Sequence, residues 1–334
     1  MIRIALDVHG GDNAPDCTID GALKALEANR TIEIQLIGRE DQIREKLKDR
    51  SYDTARLSIV HASQIIDMGE EPAAAIMRKR DSSIAVGMKR LREGEADAFV
   101  SCGSTGAVLV GGQIIAKTLP GIKRAPLATP MPTLKGRSIL IDCGANVDAK
   151  KEVLQQFAVM GTLYAKYVLG IEDPSVGLIN IGTEEEKGNA LTRETYPLLK
   201  ETPGIRFVGN AEARDLLFGV ADVYVGEGFT GNIVLKSIEG ATKALIQEIK
   251  GTLKNASFTG KLGALLIKKP LKSMMKRYDS RAVGGAIMLG LNGLVVKGHG
   301  NSDAEAVKNC ILQCIAFKEQ NLNEKIREAL GQLS

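Results

Sequence analysis

Tryptophan is absent from the 334 residues, and Phe, Tyr and Trp together make up only 4%. So thin an aromatic set excludes stacking on exposed rings as a way to hold single-stranded nucleic acid, and no nucleic-acid partner is expected. Cysteine is scarce as well: five thiols, at positions 17, 102, 143, 310 and 314, form no C-x-x-C pair. The odd, unpaired set excludes a disulfide framework and predicts free thiols in a reducing compartment. No apolar run approaches the roughly 18 residues of a spanning helix. Met1 leads straight into a strand-like run, which leaves no room for a signal peptide, so a cytoplasmic protein is expected. The three histidines, His9, His61 and His299, have no ligand-like spacing. Asp7, Asp12 and Asp142 close strand-like runs and read as helix caps before Mg²⁺ ligands, so neither metal nor cofactor is expected.

Glycine, by contrast, is abundant at 36. Five times an apolar strand-like run ends in a turn of Gly, Asn, Thr, Ser or Asp, and a helix pattern follows. The turns begin at Asp7, Ser101, Asp142, Asn180 and Gly226. They carry Gly10, Gly11, Asp12 and Asn13; Gly103, Ser104, Thr105 and Gly106; Asn146; Thr183; and Phe229, Thr230, Gly231 and Asn232. Glycine admits close backbone approach, and a helix start offers unpaired N–H groups with the positive end of its dipole. In an open parallel sheet such turns gather at the carboxyl ends of the strands, where they would form a socket for an anion such as phosphate.

Strand patterns at Ile2–Val8, Ile32–Ile37, Leu57–His61, Ala98–Ser101, Ile139–Asp142, Val176–Ile181, Arg206–Val208 and Val223–Val225 alternate with helix patterns. Those at Thr18–Ala28, Asp41–Asp49, Ser83–Glu93, Thr105–Leu119 and Glu152–Leu169 are the clearest. The alternation predicts an α/β fold with a mainly parallel, doubly covered sheet. It fits one α/β unit over 1–334, in one piece or as two lobes around a cleft. Pro120, Pro126, Pro130 and Pro132 interrupt the pattern and read as a hairpin or a lobe crossover. After Asn232 the chain reads as helical apart from Leu294–Lys297.

The net charge of +4 is unevenly placed: Thr252–Tyr278 carries seven Lys or Arg and no Asp or Glu, so the remainder is net acidic. Phe258, Leu262, Leu265 and Leu266 fall at helical spacing there, flanked by Lys268, Lys269, Lys272 and Lys276. Pro270 is expected to break the helix. Residues 252–278 therefore predict a basic amphipathic helical tip that meets a membrane surface or an acidic partner. The alternative is a hairpin packed in a subunit interface.

Three chemistries compete at the turns. Gly226-Glu227-Gly228-Phe229-Thr230-Gly231 fits G-x-G-x-x-G, but no strand follows at the distance that an NAD-dependent dehydrogenase requires. Cys102-Gly103-Ser104-Thr105-Gly106 approaches a nucleophile elbow, with Asp222 and His299 following in hydrolase order. Finally, Lys187 and Asn189, beyond Asn180 and Thr183, would clamp phosphate or a developing oxyanion.

Taken in order, Asp7–Pro15, Ser101–Ala107, Ile141–Asp148, Leu178–Asn189, Phe207–Asn210 and Ala221–Glu239 resemble the PlsX family, the phosphate acyltransferases of bacterial phospholipid synthesis. Two positions depart from that pattern: His9 stands where Met is usual, and Ser104 where Asn is common. A required serine nucleophile would not be replaced in that way. The resemblance implies a fold like the isopropylmalate dehydrogenase and phosphotransacetylase group, a homodimer, and acyl transfer from acyl-carrier protein to inorganic phosphate. It implies that a membrane glycerol-3-phosphate acyltransferase consumes the acyl phosphate, and that the enzyme sits peripherally on the inner face of the membrane. On that reading Lys187, Asn189 and Asn232 grip phosphate or the oxyanion. Asp142 or Asp7 orients them, and His299 protonates the leaving thiolate.

Overall fold

The computed structural model describes residues 1–278 and 284–331, without the side chains of Lys276 and Arg277. Its strands are β1 (Ile2–Asp7), β2 (Ile32–Gly38), β3 (Leu57–His61), β4 (Ala98–Ser101), β5 (Leu127–Thr133) and β6 (Gly136–Ile141). They continue with β7 (Ser175–Asn180), β8 (Arg206–Glu212), β9 (Val223–Val225), β10 (Ala286–Met288) and β11 (Leu294–Lys297). The helices are α1 (Asp16–Ala28), α2 (Glu40–Leu47), α3 (Pro72–Arg78), α4 (Ser83–Arg92), α5 (Thr105–Gly111) and α6 (Lys151–Tyr167). After them come α7 (Ala190–Glu201), α8 (Gly228–Asn255), α9 (Phe258–Arg277), α10 (Ala304–Glu319) and α11 (Leu322–Gly331).

The strands form one sheet in the order β3-β2-β1-β4-β11-β10-β5-β6-β9-β7-β8. Alternation along each strand divides the apolar residues between its two faces. Ile4, Leu6 and Val100 join a core with α1, α6 and α10, while Ala5, Phe99 and Val295 join a second core under α4 and α5. Phe157 and Tyr164 of α6 are fully buried in the first core, each stabilising the fold by about 2–3 kcal/mol. The sheet is mainly parallel and covered on both faces, as the alternation predicts.

Its direction, however, reverses in the middle. β1 to β4 and β11 form one parallel block, and β6 to β9 another; β10 and β5 join them by antiparallel pairing. Val296, Ile287, Ala128 and Ile141 stand in a single row across four strands. β11 ends one residue past that row and β6 ends on it, arriving from the opposite side. The carboxyl ends of the two blocks thus meet along a line in mid-sheet, and not along one outer edge as a uniformly parallel sheet would have it.

One local expectation is narrowed and three are corrected. The proline cluster is a hairpin: β10 reaches only Leu127 and Ala128, so Pro130 and Pro132 lie where β5 has one neighbour, a position that tolerates a missing N–H. β10 itself, three residues long, is too short to show a period of two and lay hidden in a stretch read as helical. Pro270 does not end its helix, since α9 runs through it. The carbonyl left without an N–H partner lies on an exposed helix, where water can serve it. The segment read as one helix over Thr105–Leu119 is α5 followed by a π-helical turn at Gly112–Ala116.

Candidate active site

Three loops of the first block are joined through their backbones. Asp12 N donates to Gly300 O at 2.7 Å, Gly298 N to Ser101 O at 2.9 Å, and Asn13 Nδ2 to Ser302 O at 3.1 Å. Gly10 packs so closely that a Cβ there would lie 2.6 Å from Gly103 N, which only glycine avoids. Beneath them Asp7 is buried, its carboxylate accepting from Ser101 Oγ at 2.7 Å and from His9 N at 3.2 Å. Burial pushes the Asp7 pKa up, against the lowering effect of the serine hydroxyls. Ser104 caps α5, accepting from Ala107 N, and a Cβ on Gly106 would strike Pro72 of α3. His9 Nε2 accepts from Arg39 N at 3.0 Å and is occupied in holding its own loop.

The second block is organised by Asp142. Its carboxylate, fully buried, accepts from the backbone N–H groups of Leu127, Gly144, Ala145 and Asn146 and from Asn146 Nδ2. Burial raises its pKa while these donors work the other way. Gly228 N donates to Asn146 O at 2.7 Å, so the start of α8 is fixed on this loop. At Gly231 a Cβ would collide with the Asp142 carbonyl oxygen. Thr230 bonds Glu227, the α8 cap, and Phe229 is exposed.

From there α8 crosses the seam. Asn232, Lys236, Glu239 and Lys243 recur at helical spacing and, with Leu235, Ile238 and Ile246, form one wall of a cavity of about 450 Å³. The other walls are Thr105, Gly144, Lys297 and the Gly298–Gly300 loop, and Leu127, Pro130 and Met131 of β5. Glu239 is the electrostatic hub. His299 Nε2 lies 3.4 Å from its Oε1, and Lys236 Nζ lies 3.1 Å from its Oε2. The hydrogen bond from His299 holds the Glu239 pKa down at about 2, with Lys236 adding to it against the effect of burial. An imidazole oriented by a carboxylate at the mouth of a mixed cavity suits proton delivery to a leaving group.

The structure thus brings Thr105, Asn232 and His299 together on the cavity, and sets Asp7, Asp142, Asn146 and the glycines behind it as scaffold. The β7–α7 loop is placed otherwise. Asn180 Nδ2 donates to Lys187 O, Asn189 caps α7, and Thr183, Lys187 and Asn189 are exposed and do not line the cavity. The strand that precedes that loop lies beside the turn before α8, with Gly226 against Ile179 of β7. Sequence reasoning missed Lys236, Glu239 and Lys297. The polar stripe on α8 was readable from its spacing; Lys297, inside a strand, gave no such sign.

Neither competing chemistry finds its geometry. α8 continues to Asn255 with α9 after it, so the glycine motif opens no dinucleotide-binding βαβ unit. Among the described residues the Ser104 hydroxyl bonds Ala107 N and no histidine. No group of His, Cys, Asp or Glu suited to a metal ion occurs among those residues, and no helix there is long and apolar enough to cross a membrane.

Solved structures share the fold. A phosphotransacetylase from Streptococcus pyogenes superposes with a TM-score of 0.64 at 18% identity, covering 94% of this chain and 93% of the other. The EutD phosphotransacetylase from Staphylococcus aureus does so at 0.59 and 19%, with the same coverage of 94% and 93%. In sequence, the phosphate acyltransferase of Streptococcus uberis is 43% identical over 332 residues, 99% of this chain and 98% of its own. That of Bacillus licheniformis is 44% identical over 332 residues, 99% of each chain. The family model described as fatty acid synthesis protein matches residues 2–325. On this full-length similarity the chain belongs to the phosphate acyltransferase family of fatty-acid and lipid synthesis.

Proposed function

We propose that the enzyme transfers a fatty acyl group from acyl-carrier protein to inorganic phosphate. A phosphate oxygen attacks the thioester carbonyl, a C–O bond forms, the C–S bond breaks, and acyl phosphate departs. The departing thiolate of the carrier takes its proton from His299, oriented by Glu239. Phosphate is a competent nucleophile once positioned, so no covalent acyl-enzyme is required. Asn232 and Thr105 donate to phosphate or to the oxyanion. Lys187 and Asn189, on the β7–α7 loop, also grip phosphate or the oxyanion during turnover. The observation that carries this reading is one cavity lined both by polar groups, among them Thr105, Asn232 and His299, and by apolar side chains, among them Leu127, Met131, Leu235 and Ile238. Such a cavity suits a substrate that is ionic at one end and hydrocarbon at the other.

On this reading the enzyme works peripherally on the inner membrane surface, where a membrane glycerol-3-phosphate acyltransferase takes the product; the exposed apolar side chains of α9 support it. The lysines of the same tip also suit acidic acyl-carrier protein. A homodimer is the proposed assembly. The reaction is tested by following loss of an acyl-carrier thioester with and without phosphate, trapping the product with hydroxylamine. Phosphate-dependent hydroxamate formation is expected; thioester loss at the same rate without phosphate counts against direct attack.

A further inference from the structure

The cavity holds cations of two kinds. Lys236 and His299 are answered by the Glu239 carboxylate, and Lys243 is exposed to water. Lys297 differs from all three. It is only 7% exposed, lines the same cavity, and its Nζ donates to one partner, the Gly298 carbonyl oxygen next in the chain. Among the described residues it makes no ion pair.

The described groups around it do not supply the missing charge. Asp7 from β1, Cys102 from the β4 loop, Cys310 from α10 and Lys236 from α8 surround it. Asp7 is spent on Ser101 and His9 N, and burial raises its pKa; burial likewise keeps the Cys102 and Cys310 thiols protonated. Alternation along β11 sets Lys297 on the face of Val295, beneath α5 and α8, and opposite Val296 in the other core. A lysine serving only as packing would cost more here than a methionine, because an unpaired buried ammonium is penalised by several kcal/mol. An anion entering the cavity removes that penalty.

We propose that Lys297 is the counter-ion and principal side-chain donor for inorganic phosphate in this cavity. The assignment rests on the acyl-to-phosphate reading and deepens it by giving the nucleophile a particular ammonium group. In the empty site burial lowers the Lys297 pKa, so at alkaline pH phosphate binding is coupled to proton uptake by the amine.

The test is calorimetric titration of the full chain with inorganic phosphate between about pH 7.5 and 10, for wild type, Lys297→Met and Lys297→Arg. Lys297→Met should weaken phosphate binding about tenfold or more, with the phosphate KM rising in step and the acyl-carrier KM within about twofold. Its melting temperature without phosphate should match or exceed wild type, since an unpaired buried charge has gone, and phosphate should no longer raise it. Should the methionine variant not fold, the arginine variant decides. Affinity kept, with the alkaline decline flattened, supports the assignment; a decline as steep as wild type overturns it. Phosphate-dependent acyl transfer by wild type, combined with normal phosphate binding by Lys297→Met, overturns the role of Lys297 and leaves the reaction standing. Wild type that binds no phosphate overturns both.

Discussion

Glu239 shows how much one side chain on α8 controls. Because its folded-state pKa lies below the ordinary carboxylate value, its stabilising contribution is full above that value and is lost as pH falls through about 2. Between about pH 4.5 and 2, wild type should therefore lose stability more steeply than Glu239→Gln. Water reaching the part of the carboxylate that stays open limits the difference to about 1 kcal/mol. Chemical denaturation at a series of pH values measures it; parallel curves would remove Glu239 as the acid-labile group. Lys187 belongs to the same scale. Replacing it with Ala should lower kcat/KM about a hundredfold, on the order of 3 kcal/mol of transition-state stabilisation. A near-normal rate would confine catalysis to the residues that line the cavity. The turn residues themselves were legible because their types are constrained: Gly10 and Gly231 admit no Cβ, and Asp142 must satisfy several backbone donors at once. Lys297 was not legible, because one lysine after three apolar strand residues reads equally well as a strand end.

Among the elements, α9 departs furthest from an ordinary surface helix. Phe258 is 86% exposed and Leu266 80%, with Leu262 and Leu265 also open, and the helix packs back on α8. Lys261, Lys268, Lys269 and Lys272 accompany them, while the side chain of Lys276 lies outside the described residues. Apolar side chains flanked by lysines suit an anionic bilayer. Changing both Leu265 and Leu266 to Asp should release the protein from anionic liposomes in sedimentation while leaving transfer from soluble acyl-carrier protein within about twofold. Unchanged pelleting would transfer the apolar face to another role. Long helices and strands such as α6 and β2 were readable within a residue or two from their periods. β10 and the π-helical turn were not, since each is too short to repeat the period that would reveal it.

For the molecule as a whole, the alternation of patterns disclosed the sheet but not its reversal. Strand direction depends on which distant segments pair, and a β5 strand containing Pro130 and Pro132 gave little local sign of pairing. The expected convergence of loops survives in altered form, on a mid-sheet line set by the row from Val296 to Ile141. β11 lies between β4 and β10 in that arrangement, so it ties the first block to the antiparallel strands that reach the second. A chain stopped after Tyr278 should fail to reach native helix and sheet content by circular dichroism and should aggregate on size exclusion. A monodisperse, native-like fragment would contradict the dependence on β11.

That placement also bears on how the protein is made. Asp7 and Gly10 leave the ribosome about 290 residues ahead of Gly300, the carbonyl that Asp12 holds. Early-made strands must wait for a late one before their edges are covered, an exposure that chaperones commonly shield. Chains that stop short of β11 and Gly300 should consequently lack both the closed site and its activity.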